Sequence, residues 1–549
     1  MARHRTTHRD DAALRDAARE TFGWPELRPE QLDAMRGLLD GRDVLAVLPS
    51  GGGKSAIYQV PALLMDGPTV IVSPLIALQN DQVEGLRESD APEAVAVNSA
   101  QSGKEARRAW RTLRGGDAEY LFLAPEQLAK DDVVAALRRL RPALFVVDEA
   151  HCVSLWGHDF RPDYLRLADA VERLGRPAVL ALTATASPVV RDDVVRHLRL
   201  RDPRRVVASF DRPGITLTVR PESDDDRRRE AVVDWAAGAG PPGLVYAATR
   251  KDTERYAEAL AARGVSVRAY HAGLKGAERE SAQQAFMDGE ADVVVATSAF
   301  GMGIDKADVR FVAHAAVPDS LDSYYQEIGR AGRDGRPARA VLFYRPQDLG
   351  LQRFLTARHL DGEGLADVAK TVRDQEEPLS VARLGEETGQ SRRKTTALVG
   401  LLAEGGAVRM RDGRAEYAED GPAPDEAVDR VAEMAERQRQ VDRSRLEMLR
   451  GYAETLSCRR RYLLGYFGEQ LDHDCGNCDS CASGSAAEHA PLSAADAPWR
   501  PGSHVRHAEW GPGVVVRAED DRVTVVFERT GYRTLSLAAV REHGLLTEA

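Results

Sequence analysis

Between residues 42 and 207 the chain alternates short apolar runs, at 44–48, 69–72, 94–97, 120–123, 144–147 and 178–182, with amphipathic stretches. Strands buried on both faces read as such runs, and helices between them supply the crossovers. The rhythm therefore predicts a parallel sheet covered by helices. Ahead of it, residues 10–40 carry helical spacing, broken at Gly23-Trp24-Pro25. A polar stretch at 220–228 reads as a linker, and the rhythm then resumes at 243–246, 265–270, 292–296, 310–314 and 340–343. Two α/β domains of similar size are expected in tandem.

The texture changes after Gln352. Residues 361–404 predict three short helices, followed by strand-like runs at 408–411 and 414–417 around an Asp412-Gly413 turn. Asp-Gly between such runs is a hairpin signal, and three helices with a hairpin make a winged-helix pattern. The acidic stretch 418–426 reads as a linker, 427–470 as helix, and the Ala/Ser-rich 482–498 as a flexible tether. Gly and Pro then punctuate strand-like runs at 514–517, 523–527 and 534–537, the pattern of a small β-barrel.

Composition narrows the classes. At ~150 residues per domain, 549 residues imply several domains and exclude a single small binding module. No run approaches the ~18 apolar residues of a membrane span, so no membrane partner is expected. Met1 to Asp10 is polar and basic with no apolar stretch behind it, so no secretory leader is expected and the cytosol is the expected compartment. The net charge of −11 confines any DNA-binding surface to local patches. Of five cysteines, Cys152 stands alone while Cys458, Cys475, Cys478 and Cys481 cluster, which in a cytosolic chain reads as a metal site before it reads as disulfides.

Candidate chemistry sits at the strand ends. Ser50-Gly51-Gly52-Gly53-Lys54-Ser55 follows a predicted strand and opens a helix. Glycines let backbone N–H groups approach phosphate, Lys54 would reach the β/γ-phosphates of a nucleotide, and Ser55 would hold Mg²⁺. Leu48 stands where the general phosphate-loop pattern has glycine. The run 144–147 ends in Asp148-Glu149-Ala150-His151, where Asp148 can hold Mg²⁺ and Glu149 can polarise an attacking water. The four clustered cysteines suit tetrahedral Zn²⁺ in a closed, structural site rather than an iron–sulfur cluster or free thiols.

The Lys54 loop, the Asp148-Glu149-Ala150-His151 box and Thr183-Ala184-Thr185 resemble the core of superfamily 2 helicases. The segment His151-Cys152-Val153-Ser154-Leu155-Trp156-Gly157-His158-Asp159-Phe160-Arg161-Pro162 resembles the aromatic-rich loop of the RecQ family of DNA helicases. That resemblance implies two RecA-like domains, ATP as the nucleotide, and unwinding of DNA 3′ to 5′ from a single-stranded tail, in repair or recombination. It implies adenine recognition by Gln31, with Trp24 or Arg28 against the base. Ser73, Trp156, Phe160 and Arg161 would meet DNA, the alternative for Trp156 and Phe160 being core packing. In Gln326-Glu327-Ile328-Gly329-Arg330-Ala331-Gly332-Arg333, it makes Arg333 the arginine finger with Arg330 beside it on the phosphates. Residues 296–306 resemble a further family motif. Arg459, Arg460 and Arg461 form a basic cluster that could track phosphate, and His473 is expected at the surface.

The expected division is 1–207 for the N-terminal helices and first RecA-like domain, 208–350 for the second, 351–420 winged helix, 421–484 helical zinc module, 485–498 linker and 499–549 barrel. The winged-helix segment precedes the zinc module, whereas in the family it follows, and it could meet DNA, dock a protein or act as a spacer. Residues 502–528 resemble the Tudor-like barrel that ends some superfamily 1 repair helicases. That implies a protein partner for the barrel, the alternative being a barrel that packs on the body.

Overall fold

A computed structural model describes residues 2–98, 101–157, 159–301, 306–356, 360–411, 413–489, 499–518, 521–527 and 530–548. The first domain is a seven-stranded parallel sheet. Its order runs from Glu93–Val97 through Ala118–Leu123, Thr69–Val72, Leu144–Val147, Ala178–Thr183 and Val44–Val47 to Arg204–Val207. The interior strands Val44–Val47, Thr69–Val72 and Leu144–Val147 are buried at every residue, which is why they read as unbroken apolar runs. The helix Pro29–Leu39 begins with proline at its first turn and packs its Leu32 and Met35 against Leu14 and Ala18 of Ala2–Phe22.

A six-stranded parallel sheet follows, ordered Val267–Tyr270, Val293–Ala296, Gly243–Tyr246, Phe311–His314, Ala338–Tyr344, Ile215–Pro221. Two strands escape the hydrophobic pattern, Arg204–Val207 and Ile215–Pro221, and both lie at sheet edges where one side faces polar surroundings. The expected linker at 220–228 is therefore corrected: its first residues end the edge strand, and Asp225–Gly238 is already helix.

Helices Gly362–Arg373, Val381–Glu387 and Arg392–Glu404 pack with an antiparallel sheet of Leu379–Ser380, Arg414–Tyr417 and Val408–Arg411. Ser391 caps the third helix, and the unit has its own core of Leu365, Val368, Leu384, Leu398 and Leu402, joined by Val431. Asp412 of the expected turn lies outside the described residues. The helix Pro424–Glu454 starts inside the expected linker 418–426 and stops well short of residue 470, and a second helix, Arg459–Tyr466, completes the segment. The expected tether is corrected at its start. Ser485–Glu488 is a helical turn whose Ala486 is buried in the main core, while 490–498 lie outside the described residues.

The C-terminal region is a five-stranded antiparallel sheet, ordered Gly531–Ser536, Arg522–Phe527, Gly511–Ala518, His504–His507, Leu546–Glu548, with the helix Leu537–His543. Strand alternation divides its apolar residues between two faces. Val515, Val525 and Phe527 fill the barrel's own core. Val516, Val526 and Tyr532 point the other way and join the core cluster shared by both α/β domains and the cysteine-bearing helices. Among the described residues, no helix is long and apolar enough to cross a membrane.

Asp43, buried at the start of Val44–Val47, accepts hydrogen bonds from Arg176 Nη2 (2.7 Å), Val179 N (3.0 Å) and Arg201 N (2.7 Å). It fastens the foot of this strand to its neighbour Ala178–Thr183. Asp43→Ala should cost about 3 kcal/mol of stability by stripping a buried ion pair. A urea midpoint matching the wild type would contradict this.

Candidate nucleotide site, aromatic loop and cysteine cluster

The site forms at the carboxyl ends of the first sheet's strands, the usual place for a ligand in open parallel sheets, where turns of the second domain meet them. A cavity of about 410 Å³ is lined by Ser50, Gly51, Gly53, Lys54, Ser55, Asp148 and Glu149 from the first domain. Gly301, Gln326, Arg330 and Arg333 line it from the second. The loop before Lys54 takes left-handed backbone at Gly51 (φ 75°) and Gly53 (φ 69°), which side-chain-bearing residues rarely adopt. Leu48 is a buried strand-end residue whose N–H donates to Thr183 O (3.1 Å), so here the tight turn begins one step later than the general pattern.

Asp148 and Glu149 end the strand Leu144–Val147. Asp148 N donates to Val72 O (2.9 Å), its Oδ1 accepts from Glu149 N (3.0 Å), and its carbonyl accepts from the Tyr164 hydroxyl (3.0 Å). Glu149 is left-handed (φ 46°, ψ 48°), an outlier for a non-glycine residue, and it turns the carboxylate into the cavity. His151 Nδ1 lies 3.3 Å from Glu149 Oε2 and 2.8 Å from Thr183 Oγ1. Thr183 Oγ1 donates to Thr185 O (3.0 Å), and Thr185 Oγ1 accepts from Gln326 Nε2 (3.0 Å) of the second domain. A polar relay thus leads from Glu149 across the domain boundary. Burial, then the Glu149 charge, pushes the Asp148 carboxyl up. Burial acts the same way on Glu149, but His151, Lys54 and Arg330 outweigh it and hold this carboxyl well below the ordinary range.

Arg330 is buried beside Gly301, where a Cβ would come within 2.7 Å of Arg330 Nη2. Arg333 lies along Gly51, with its Cδ 3.6 Å from where a Cβ on that glycine would stand. Arg212 donates to Ser50 O (3.3 Å), Gly329 O (3.4 Å) and Ala331 O (3.2 Å), bridging the phosphate loop and the Arg330 turn. Sequence reasoning missed Arg212, and nothing in Asp211-Arg212-Pro213 distinguishes it from the chain's many other arginines. Residues 302–305 of the motif at 296–306 lie outside the described residues.

The structure rearranges several expectations. Gln31 Nε2 donates to Gly52 O (3.3 Å) and Gly53 O (2.9 Å), and its Oε1 accepts from Arg28 N (2.8 Å), so both ends of the amide are engaged with protein. Arg28 Nη2 donates to Gly51 O (3.4 Å), and Trp24 stacks on Phe22 with ring centroids 4.6 Å apart. Ser73 is buried with its hydroxyl enclosed, because its backbone continues the sheet hydrogen bonding to Leu123, and it presents no hydroxyl at the surface. Trp156 is 5% exposed and meets Tyr532 of the barrel edge-on at 6.2 Å, so it packs in the core as its alternative reading allows. Phe160 and Arg161 remain partly exposed, with Arg161 held by Asp159 Oδ2 (2.7 Å) and Pro74 O (3.0 Å). His158 lies outside the described residues. The Arg459–Arg461 cluster is turned inward rather than toward phosphate. Arg459 pairs with Asp479, Arg460 with Asp211 (2.8 Å) and Arg461 with Asp474 (3.0 Å).

The Sγ atoms of Cys458, Cys475, Cys478 and Cys481 lie within 4.8 Å of one another. Tetrahedral zinc with Zn–S of about 2.3 Å needs sulfurs about 3.8 Å apart, and Cys475–Cys481 (3.8 Å) and Cys478–Cys481 (3.4 Å) suit it. Four thiolates fill the coordination shell, so the donor set fits a structural zinc. His473 is exposed and is not part of the quartet. The cysteine loop lies along the edge strand Ile215–Pro221. Leu217 N donates to Asn477 O (3.3 Å), Thr216 Oγ1 to Asn477 Oδ1 (2.7 Å) and Val219 N to Asp479 Oδ2 (2.9 Å).

Comparisons with known proteins agree with this geometry. The chain matches the DEAD/DEAH box helicase family over residues 28–193, the helicase conserved C-terminal domain over 229–335, RecQ zinc-binding over 424–482, and a protein of unknown function (DUF3553) over 499–541. The ATP-dependent DNA helicase RecQ of Haemophilus influenzae is 35% identical over 464 residues, 84% of this chain and 62% of that protein. The chain thus spans under two thirds of that relative's length. Among solved structures, the Mycobacterium smegmatis helicase Lhr, bound to single-stranded DNA and AMP-PNP, shares the fold over 91% of this chain and 68% of that one (TM-score 0.50, 22% identity). The DUF1998 helicase MrfA, bound to DNA, does so over 75% and 60% (TM-score 0.52, 18% identity). The probable ATP-dependent DNA helicase RecS of Bacillus subtilis is 39% identical over 367 residues, 66% of this chain and 73% of that protein. With most of that relative's length covered at such identity, this chain belongs to the RecQ family of superfamily 2 helicases.

Proposed function

We propose that the chain is an ATP-driven DNA helicase, separating duplex DNA from a single-stranded tail with 3′ to 5′ polarity, in repair or recombination. One observation carries the reading: a cavity with Lys54, Asp148 and Glu149 on one wall and Arg330 and Arg333 on the other. Phosphoryl transfer to water needs a phosphate cradle, a water-polarising carboxylate and cations on the developing charge, and these residues are of those types.

In this reading the N–H groups of 51–55 and Lys54 hold the ATP phosphates. Ser55 and Asp148 would hold Mg²⁺, which neutralises phosphate charge when bound. Glu149, kept ionised by His151 and Lys54, polarises the attacking water. Arg333 acts as the finger with Arg330 beside it. Gln31 reads adenine by exchanging its loop carbonyls for the base edge, and Trp24 or Arg28 backs the ring. DNA meets Phe160 and Arg161, the accessible part of the aromatic loop. Any protein partner of the barrel uses residues outside the face that carries Val516, Val526 and Tyr532.

Lys54→Ala should lower ATP turnover by about 100-fold or more, since phosphoryl transfer loses a cation on the transferred group, while DNA binding persists. Equal turnover in the variant would remove the phosphate-loop assignment. Strand separation on matched duplexes tests polarity. A 3′-tailed substrate should open and a 5′-tailed one should not. DNA-stimulated turnover that opens neither would make the chain a translocase rather than a helicase. Metal analysis should find about one zinc per chain, and Cys475→Ser should lose it together with thermal stability. Zinc-free wild-type protein with an unchanged melting profile would refute the metal site.

A further inference from the structure

We propose that Tyr532 is a positioning residue. Standing in the C-terminal barrel, it anchors the aromatic loop that follows the catalytic carboxylates and ties that loop to the helix leading to Arg330 and Arg333. The mechanistic half of this proposal rests on the helicase reading; the anchoring half does not.

The loop leaves Glu149 through the short turn Ala150–Val153 and is braced on its near side by Arg161 N on Cys152 O (2.9 Å) and Ser154 Oγ on Asp193 Oδ2 (2.7 Å). On its far side the Trp156 ring meets Tyr532 edge-on, with interplanar angle 89°. An edge-to-face pair fixes ring orientation in a way that aliphatic packing does not. Tyr532 also lies 5.5 Å from the Tyr466 ring, whose hydroxyl donates to Asp322 Oδ2 (2.5 Å). Arg445 Nη2 lies 3.6 Å from the same oxygen, and both charged groups are buried. Asp322 belongs to the helix Leu321–Ile328, which carries Gln326 to Thr185. One barrel side chain therefore stands between the loop that begins at Glu149 and the helix that ends before Arg330.

The barrel is seated firmly enough to serve as an anchor. Gly531 presses on the long helix Pro424–Glu454 so closely that a Cβ would stand 2.3 Å from Ser444 Oγ. Arg517 lies 4.0 Å over the ring of Tyr462, on the helix Arg459–Tyr466.

The test compares Tyr532→Ala, Tyr532→Phe and Arg517→Ala in the full chain by hydrogen exchange and by ATP turnover with single-stranded oligo-dT. In Tyr532→Ala, amides of 150–161 should exchange about tenfold faster or more, because the segment opens locally. DNA-stimulated kcat should fall about fivefold or more with KM for ATP within about twofold, the split expected when positioning rather than binding is lost. Tyr532→Phe keeps the ring and gives up only the hydroxyl, which faces Tyr466 and Ser187, so it should stay closer to the wild type than to Tyr532→Ala in both measurements, and Arg517→Ala should leave exchange at 150–161 unchanged. Unaltered exchange at 150–161 in Tyr532→Ala overturns the anchor, as does equal acceleration by Arg517→Ala. A wild type with no DNA-stimulated turnover overturns the helicase reading, and exchange alone then decides the anchor. If Tyr532→Ala fails to retain zinc and does not fold, Tyr532→Leu, which fills the space without an aromatic edge, takes its place.

Discussion

The half-buried guanidinium of Arg212 touches both walls of the nucleotide cavity, and the rest of the site depends on the closure it maintains. Its hydrogen bonds to carbonyls at Ser50, Gly329 and Ala331 put the phosphate loop and the arginine turn in one frame. Neither sheet alone makes the site, because the carboxylates end strands of one and the arginines follow a helix of the other. Backbone carbonyls stabilise the cation without neutralising it, so the bridge is held by geometry as much as by charge. A contact of this kind can be broken and remade without leaving an unpaired carboxylate behind.

The left-handed Glu149 belongs to the same logic. A non-glycine residue is held there only where its surroundings over-determine it, and here Tyr164, His151 and the Asp148 carboxylate do so. The polar path from His151 through Thr183 and Thr185 to Gln326 gives the strained carboxylate a direct mechanical connection to the other domain.

How much of this was legible in the sequence follows from the range over which each feature acts. The fully buried strands announce themselves because both faces need apolar side chains, whereas Arg204–Val207 and Ile215–Pro221 do not, because edge strands tolerate polar residues. The Lys54 loop and the Asp148-Glu149 pair are readable because their chemistry is written in consecutive residues. Arg212 and Tyr532 are not, because each works only through partners distant in the chain. Trp156 and the arginines at 459–461 show the reverse case. The resemblance offers Trp156 to bases and the basic run offers 459–461 to phosphates, but the fold supplies Tyr532, Asp479, Asp211 and Asp474 first. Gln31, expected at the adenine, stands beside the phosphate loop, and no pattern reveals that its amide already bonds the loop's own carbonyls.

The cysteine loop has a consequence beyond its sulfurs. It lies along Ile215–Pro221, the outermost strand of the second sheet, and takes up backbone N–H groups at Leu217 and Val219 through Asn477 and Asp479. An uncovered outer strand is a template on which other chains can add as further strands. Metal in the quartet therefore guards solubility as well as shape. A molecule that lost it would display a ready-made seam for self-association, and oxidative damage to the thiols would be felt first as clumping between molecules rather than as a defect in the distant nucleotide cavity.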